Sequence, residues 1–404
     1  MQGVGGPSAD PRYGWVVVGI LGTTETVSYG VLYYAFGVFL VAMRPDLGLS
    51  TQAATGAFSL ALAVAGLVGL WVGRWLDSHG PRALMTIGSA TGGLLVLAWS
   101  QVHSAVQLYA VFAGIGVAMA LVLYEPAFIV VTRWFSVRRH QALTAVTLVA
   151  ALASFIFSPL SAWLIGRLGW REALVVLAVI LASVTVPLHA FGLRSPPPPA
   201  TSVDRRPAGE RHAGDRSLLR RPGFGSLTAC FVLLSLVSSA LGVLLVSLLV
   251  SRGWTTAFAA GVAGMVGVSQ VPGRLVFALV ARRVKGWPFP AAVFGLGAVA
   301  IAVLAVGHSA ATVIGFAVAY GMSNGMATLM RAALVADLYG RIDYGRISST
   351  TAAFVAAARA LAPFAAATTA LLPGGSLTVL WAMAGASAIA AGLGARAVAT
   401  ATRR

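Results

Sequence analysis

Hydrophobic positions in this chain come in long solid blocks. They show neither the alternation of a half-buried strand nor the one-sided stripe of a soluble helix. The first block runs from 14 to 43 and ends at the polar stretch RPDLGLST. Others follow near 53–74, 83–102, 104–131, 140–165 and 172–194, and again near 224–251, 256–281, 287–307, 309–330, 347–372 and 376–398. Each exceeds the length of about 18 residues that lets a helix cross a hydrocarbon core of about 30 Å. The pattern predicts an all-α membrane protein with twelve transmembrane helices. Because apolar blocks continue to the far end, a lone signal peptide does not explain the first.

Composition agrees. Only 10% of the residues are charged and 58% are hydrophobic, with a mean hydropathy of +0.86, whereas soluble chains carry about 25% charged residues. The net charge of +17 raises nucleic acid as a partner, but its placement argues against one. Basic residues gather in every second loop, as at Arg74 and Arg82, Arg138 and Arg139, Arg205 and Arg206, Arg282 and Arg283, Arg341 and Arg346. The intervening loops hold only Arg44, Arg167, Arg171 and Arg252. This alternation puts the arginine-rich loops and both termini in the cytoplasm of a multi-pass protein of the cytoplasmic (inner) membrane.

Enzyme chemistry finds no support. The single cysteine, Cys230, cannot form an intrachain disulfide or a cysteine metal cluster. GVGG at 3–6 and GIG at 114–116 lack the strand and phosphate-facing lysine of a nucleotide loop. No cofactor and no metal are expected.

Two halves resemble each other at a fixed offset. Leu47-Gly48-Leu49-Ser50 returns as Arg252-Gly253-Trp254-Thr255, 205 positions on, and His103-Ser104-Ala105 returns as His308-Ser309-Ala310. Ser158-Pro159 is echoed by Ala362-Pro363, 204 positions on. The expected organisation is a cytoplasmic tail at 1–13, a six-helix bundle at 14–194, a disordered cytoplasmic linker at 195–222 containing SPPPPATSVDRR, a second bundle at 223–400 and a tail at 401–404. Two pseudo-symmetric six-helix halves with a solute held between them are a transporter plan.

The segment GRWLDSHGPR, 73–82, concentrates charge in a chain that has little. Its pattern Gly73-x-x-x-Asp77-x-x-Gly80-x-Arg82 resembles the signature loop of the major facilitator superfamily. That resemblance implies the major facilitator fold, alternating access, and a conformational latch. Gly73 would permit close packing, Gly80 a turn, and Asp77 charged hydrogen bonds at the helix ends. The corresponding ALVARRVKG, 278–286, lacks the acid and the first glycine. RYGWVVV (12–18), SYG (28–30), RWFSVRRHQAL (133–143), VPGRLV (271–276) and AARAL (357–361) resemble the monocarboxylate and oxalate/formate porter branch. That likeness implies that Arg274 meets the substrate carboxylate and that Arg359 adds a second positive charge. Two positions depart from it: Tyr33 and Tyr34 stand near the place of a first-helix lysine, and Gln270 replaces an acid one turn before Arg274.

Charges inside the membrane cost about 2.5–3.5 kcal/mol each even on lenient scales, so each needs a reason. Arg274 offers a planar fork for a carboxylate, with Gln270 one turn away on the same face; an ion pair with Glu25 or Glu125 is the alternative. Arg359 stands one turn before Pro363, which frees a backbone carbonyl, and it too has a structural ion pair as alternative. Glu25 is a proton-carrier candidate with Tyr29 and Tyr33 continuing its face, or else a structural partner for an arginine. Glu125 precedes Pro126 and, with Arg331, suits either a gate or a proton site. Asn324 is a further substrate candidate. The expected activity is secondary transport of a small organic anion, a monocarboxylate, by proton symport, in a monomer. Efflux of a drug-like or secondary-metabolite solute is the alternative, and a non-transporting membrane sensor is a third reading.

Overall fold

The computed structural model describes residues 11–135, 138–194, 223–280 and 286–402. The linker expected at 195–222 lies outside them, as do residues 1–10, 281–285 and 403–404. Every regular element among the described residues is helical. Helix α1 (Pro11–Tyr29) passes through a π-turn at Gly30–Tyr34 into α2 (Ala35–Asp46). Then come α3 (Thr51–His79), α4 (Pro81–Ser100), α5 (Ala105–Val122), α6 (Tyr124–Trp134), α7 (Arg139–Ala150), α8 (Leu152–Leu168) and α9 (Trp170–Pro187), the last followed by a second π-turn at Leu188–Gly192. The remainder comprises α10 (Phe224–Ser251), α11 (Thr256–Val268), α12 (Gln270–Val280), α13 (Pro288–Val306), α14 (Ala310–Thr369) and α15 (Ser376–Thr402).

Among the described residues eleven helical stretches are long and apolar enough to cross a membrane. The remaining expected span, 256–281, is divided into α11 and α12, of 13 and 11 residues. Proline sets this break and its counterpart in the fourth span. Pro126 has no N–H for the carbonyl of Val122, where α5 ends, and Pro272 stands in the same relation to Val268, where α11 ends. Each helix restarts two residues before its proline, which then sits in a first turn where no intrahelical donor is needed. The tenth and eleventh spans differ from expectation in the other direction. No loop separates them: Ala310–Val335 and Thr350–Thr369 are two apolar stretches of the single helix α14.

By contacts the chain forms two units, Met1–Met43 with Leu60–Arg205, and Arg44–Ser59 with Arg206–Arg404. Lipid tails are as apolar as leucine, so packing inside a bilayer relies on dispersion and close backbone approach rather than on escape from water. In the first unit Phe36, Trp99 and Phe112 form a fully buried aromatic core, with ring centroids 4.9–6.1 Å apart. The Trp99 indole N–H donates to Met43 Sδ at 3.3 Å. Gly116 of α5 lies directly on the backbone of Ala61 in α3. In the second unit Gly321 lies on the Val266 carbonyl, at the same pair of positions 205 residues on.

The repeat extends to the caps. Ser50 and Thr255 each accept from the backbone N–H three residues on, and so do Ser104 and Ser309. Gly48 and Gly253, and Gly169 and Gly374, are paired turns of positive φ. Arg171 Nη1 donates to the carbonyls of Ser100 and Val102, while Arg252 Nη2 donates to those of Ala305 and Gly307. Two arginines from unrelated places thus close the same helix end in both halves. Each satisfies carbonyls that a helix terminus leaves open.

Candidate functional site

The first unit gathers its candidates around two backbone irregularities. Glu25 on α1 is fully buried, and among the described residues neither carboxylate oxygen has a hydrogen-bond partner. The hydroxyls beside it turn to the backbone: Thr24 Oγ1 donates to Leu21 O, and Thr26 Oγ1 reaches Gly22 O at 2.8 Å and Val149 O at 3.0 Å. One turn further, Gly30 lies against the Phe157 ring, where any side chain would collide. The π-turn starts at that glycine, a form of local widening found often at functional positions.

Five half-buried rings cluster there. Tyr29 lies 6.0 Å from Tyr33 and 4.6 Å from Tyr124, Tyr33 lies 5.1 Å from Tyr34, and Tyr124 stacks on Phe128 at 5.0 Å. The two irregularities therefore meet: the π-turn supplies Tyr33 and Tyr34, the end of α1 supplies Tyr29, and the first turns of α6 after the break at Leu123 supply Tyr124 and Phe128. Irregular backbone at membrane depth is tolerated where protein or a cavity, rather than lipid, surrounds it.

Glu125 is the second residue of α6 and is exposed. A carboxylate in a first turn complements the positive end of the helix. Its Oε2 occupies the space over Gly69 of α3, 2.5 Å from where a Cβ would stand. Gly69 is the position that precedes Arg274 by 205 residues. Where the second half carries a guanidinium, the first half carries no side chain and receives a carboxylate from α6. The halves offer opposite charges at one repeat position.

Near the signature loop, Gly80 caps α4 at a φ of 75° with Pro81 following, as a tight turn requires. Gly73 faces Ile129, and Arg82 is exposed. The Asp77 side chain lies outside the described ones; its backbone is part of α3. Arg133 at the end of α6 donates to Leu76 O at 2.8 Å, closing the α3 terminus.

In the second unit Gln270 opens α12, and Arg274 follows one turn later. Arg274 Nη2 contacts Gln270 Oε1 at 3.5 Å, and both residues are half-buried. Glycine fixes their position. Gly273 lies on the backbone of Met322, and Gly325 on the backbone of Gln270 itself. Together with Gly321 they form a small-residue seam that brings α14 onto the α11–α12 break, as small-xxx-small spacing does in membranes. Asn324, within that seam, lines a void of about 20 Å³ between helices of the second unit, beside Tyr320, Ser323 and Ser387. Arg331 is half-buried further along α14.

Arg359 is exposed on α14. Its own carbonyl, freed by Pro363 four residues on, accepts from Ser239 Oγ of α10 at 3.0 Å. Glu125, Gln270 with Arg274, and Arg359 thus each stand within a turn of a proline. The sequence marked those prolines, but Tyr34, Tyr124, Phe128, Arg133 and Ser239 carried no comparable signal. No group of His, Cys, Asp and Glu among the described residues is arranged to hold a metal ion.

Relatives bear on what this arrangement serves. Monocarboxylate transporter 13 of Rattus norvegicus is 26% identical over 343 residues, covering 82% of this chain and 76% of that protein. An MFS-type efflux pump of Mycolicibacterium smegmatis (strain ATCC 700084 / mc(2)155) is 28% identical over 217 residues, 53% of this chain and 49% of the pump. The crystal structure of a bacterial homolog of the human lysosomal transporter Spinster, inward-facing and occupied, superposes with a TM-score of 0.72 at 14% identity, covering 98% of this chain and 95% of that one. The sequence model of the Major Facilitator Superfamily matches residues 26–363, and the chain belongs to that superfamily of transporters.

Proposed function

We propose that this transporter moves a small monocarboxylate together with a proton by alternating access. The observation that carries the reading is the Gln270–Arg274 pair at the restarted end of a broken helix. A guanidinium held half-buried presents a planar fork that suits a carboxylate, and the amide oxygen beside it aligns that fork. Arg359 adds positive charge in the same unit. Glu25, enclosed without a hydrogen bond among the described residues, supplies the proton site: an ionised carboxylate there is costly, and a bound proton removes the charge. Glu125 serves as a gate with Arg331 or as a second proton site, and Asp77 with Gly73, Gly80 and Arg82 as the latch. Tyr29, Tyr33 and Asn324 are the remaining substrate contacts. The halves at 14–194 and 223–400, joined by the 195–222 linker, sit in the cytoplasmic membrane of the cell with both termini inside, as a monomer.

The name of the rat relative supports the monocarboxylate reading, since it spans most of both chains. Efflux of a larger apolar solute is supported by the mycobacterial pump and by the ring cluster at the π-turn. The test is uptake of a panel of labelled carboxylates into proteoliposomes under an inward proton gradient, wild type against Arg274→Lys. An ammonium cannot reproduce the two-point fork, so uptake is expected in the wild type and lost in the variant. Wild-type uptake no faster than in empty liposomes, together with export of hydrophobic dyes, would favour efflux.

A further inference from the structure

One groove is lined by none of the candidate site residues of either unit. It has a volume of about 430 Å³ and lies on the first unit, open along one side, between the end of α3 and its neighbours α4 and α5. Val72 and Leu84, both buried, form its floor; Val68 and Leu121 form its walls. Trp71 and Trp75 stand at its rim, 66% and 43% exposed. At one end are Arg74 and Ser78.

The Arg74 guanidinium lies over the Trp71 ring at 4.4 Å, and among the described residues it makes that contact and no hydrogen bond. Trp75 stacks on His79 at 4.5 Å. The apolar span to which these residues belong ends at Leu76. The groove therefore runs from the hydrocarbon region to the level at which tryptophans settle in the interface. It combines a greasy trough of ligand-sized volume with an undirected cationic fork at its polar end.

We propose that this groove binds an anionic glycerophospholipid, with one acyl chain along Val68, Val72, Leu84 and Leu121 and the phosphate on Arg74. The chemistry selects the occupant. A free phosphate has nothing to gain from the apolar floor, and a wholly apolar molecule makes no use of the exposed guanidinium. A lipid satisfies both at once. Net negative headgroups are favoured over zwitterionic ones because Arg74 is exposed at the end of α3, in the span end that the arginine distribution assigns to the cytoplasmic side, where basic residues attract anionic lipid. The ring under the guanidinium holds the fork in place without consuming its donors.

Native mass spectrometry of the full chain, released from nanodiscs of equal phosphatidylglycerol and phosphatidylcholine, reads the lipids retained. The wild type is expected to keep phosphatidylglycerol over phosphatidylcholine by at least about five-fold, the factor that one basic residue supplies near an anionic surface. Arg74→Gln is expected to bring the ratio to near one, and added inorganic phosphate to leave the wild-type ratio unchanged. Val68→Trp keeps Arg74 but fills the trough, and should lose the retained lipid as well. This second variant keeps the test open if Arg74→Gln folds poorly. Equal retention of the two lipids by the wild type, an unaltered ratio in either variant, or displacement by phosphate would overturn the proposal.

Discussion

Replacing Gly325 by alanine tests whether the α14 seam sets the position of the Gln270–Arg274 pair. The added Cβ would meet the carbonyl oxygen of Gln270 and lie 2.8 Å from its Cα and 2.9 Å from its carbonyl carbon. All three are backbone atoms of the first residue of α12 and cannot rotate aside. Either α14 or α12 must move, at an overpacking cost of about 1–3 kcal/mol. Gly315→Ala in the same helix is the control, because nothing lies within 4 Å of its Cβ position. Alanine there should be neutral or gain up to about 1 kcal/mol from helix propensity. Thermal unfolding of purified protein, followed by tryptophan fluorescence, should show a lowered midpoint for Gly325→Ala and none for Gly315→Ala. Carboxylate uptake per folded molecule should also fall about ten-fold in Gly325→Ala, equivalent to roughly 1.4 kcal/mol of lost binding. If Gly325→Ala melts and transports like Gly315→Ala, the seam does not position the site.

Three further outcomes follow from particular contacts. Glu25→Gln keeps volume but removes the proton site, so proton-driven accumulation should vanish while substrate exchange persists; accumulation at the wild-type level assigns the proton elsewhere. Ser239→Ala removes the donor to the Arg359 carbonyl that Pro363 frees, and should cost about 1–3 kcal/mol in thermal stability, detectable against Ser251→Ala, whose hydroxyl only caps its own helix. Single cysteines placed at the 195–222 linker and at the 103–105 turn should label from opposite sides of intact cells, the turn from outside; labelling of both from outside would overturn the span assignment.

The fold was largely legible because lipid imposes a simple code: helical blocks of sufficient length, and glycine and serine turns repeated at one offset. Cap residues Ser104 and Ser309 are readable because a cap needs a hydroxyl at a fixed place. The breaks at Leu123 and Ser269 were missed, although Pro126 and Pro272 announced them, because hydropathy averages across a single non-helical residue. The continuity of α14 was missed for the reverse reason, since polar residues between two apolar stretches read as a loop whether or not the backbone stays helical. At the site, Glu25 drew attention by its charge within an apolar block, and Arg274 and Arg359 by their charge together with the motifs around them. Tyr124 and Phe128 did not, because an aromatic ring in an apolar block looks like packing until its neighbours are known. The Gly69–Glu125 contact needed coordinates, since nothing in a glycine says which side chain will use its space.

The central claim is that a carboxylate and a proton cross together. The most direct measurement traps a pH-sensitive dye inside proteoliposomes and applies an inward gradient of a labelled monocarboxylate at equal pH on both sides. Acidification of the lumen should accompany uptake at a fixed ratio in the wild type, and fall to the empty-liposome rate in Arg274→Lys. Uptake without acidification, or acidification equal in the wild type, Arg274→Lys and empty liposomes, would contradict it.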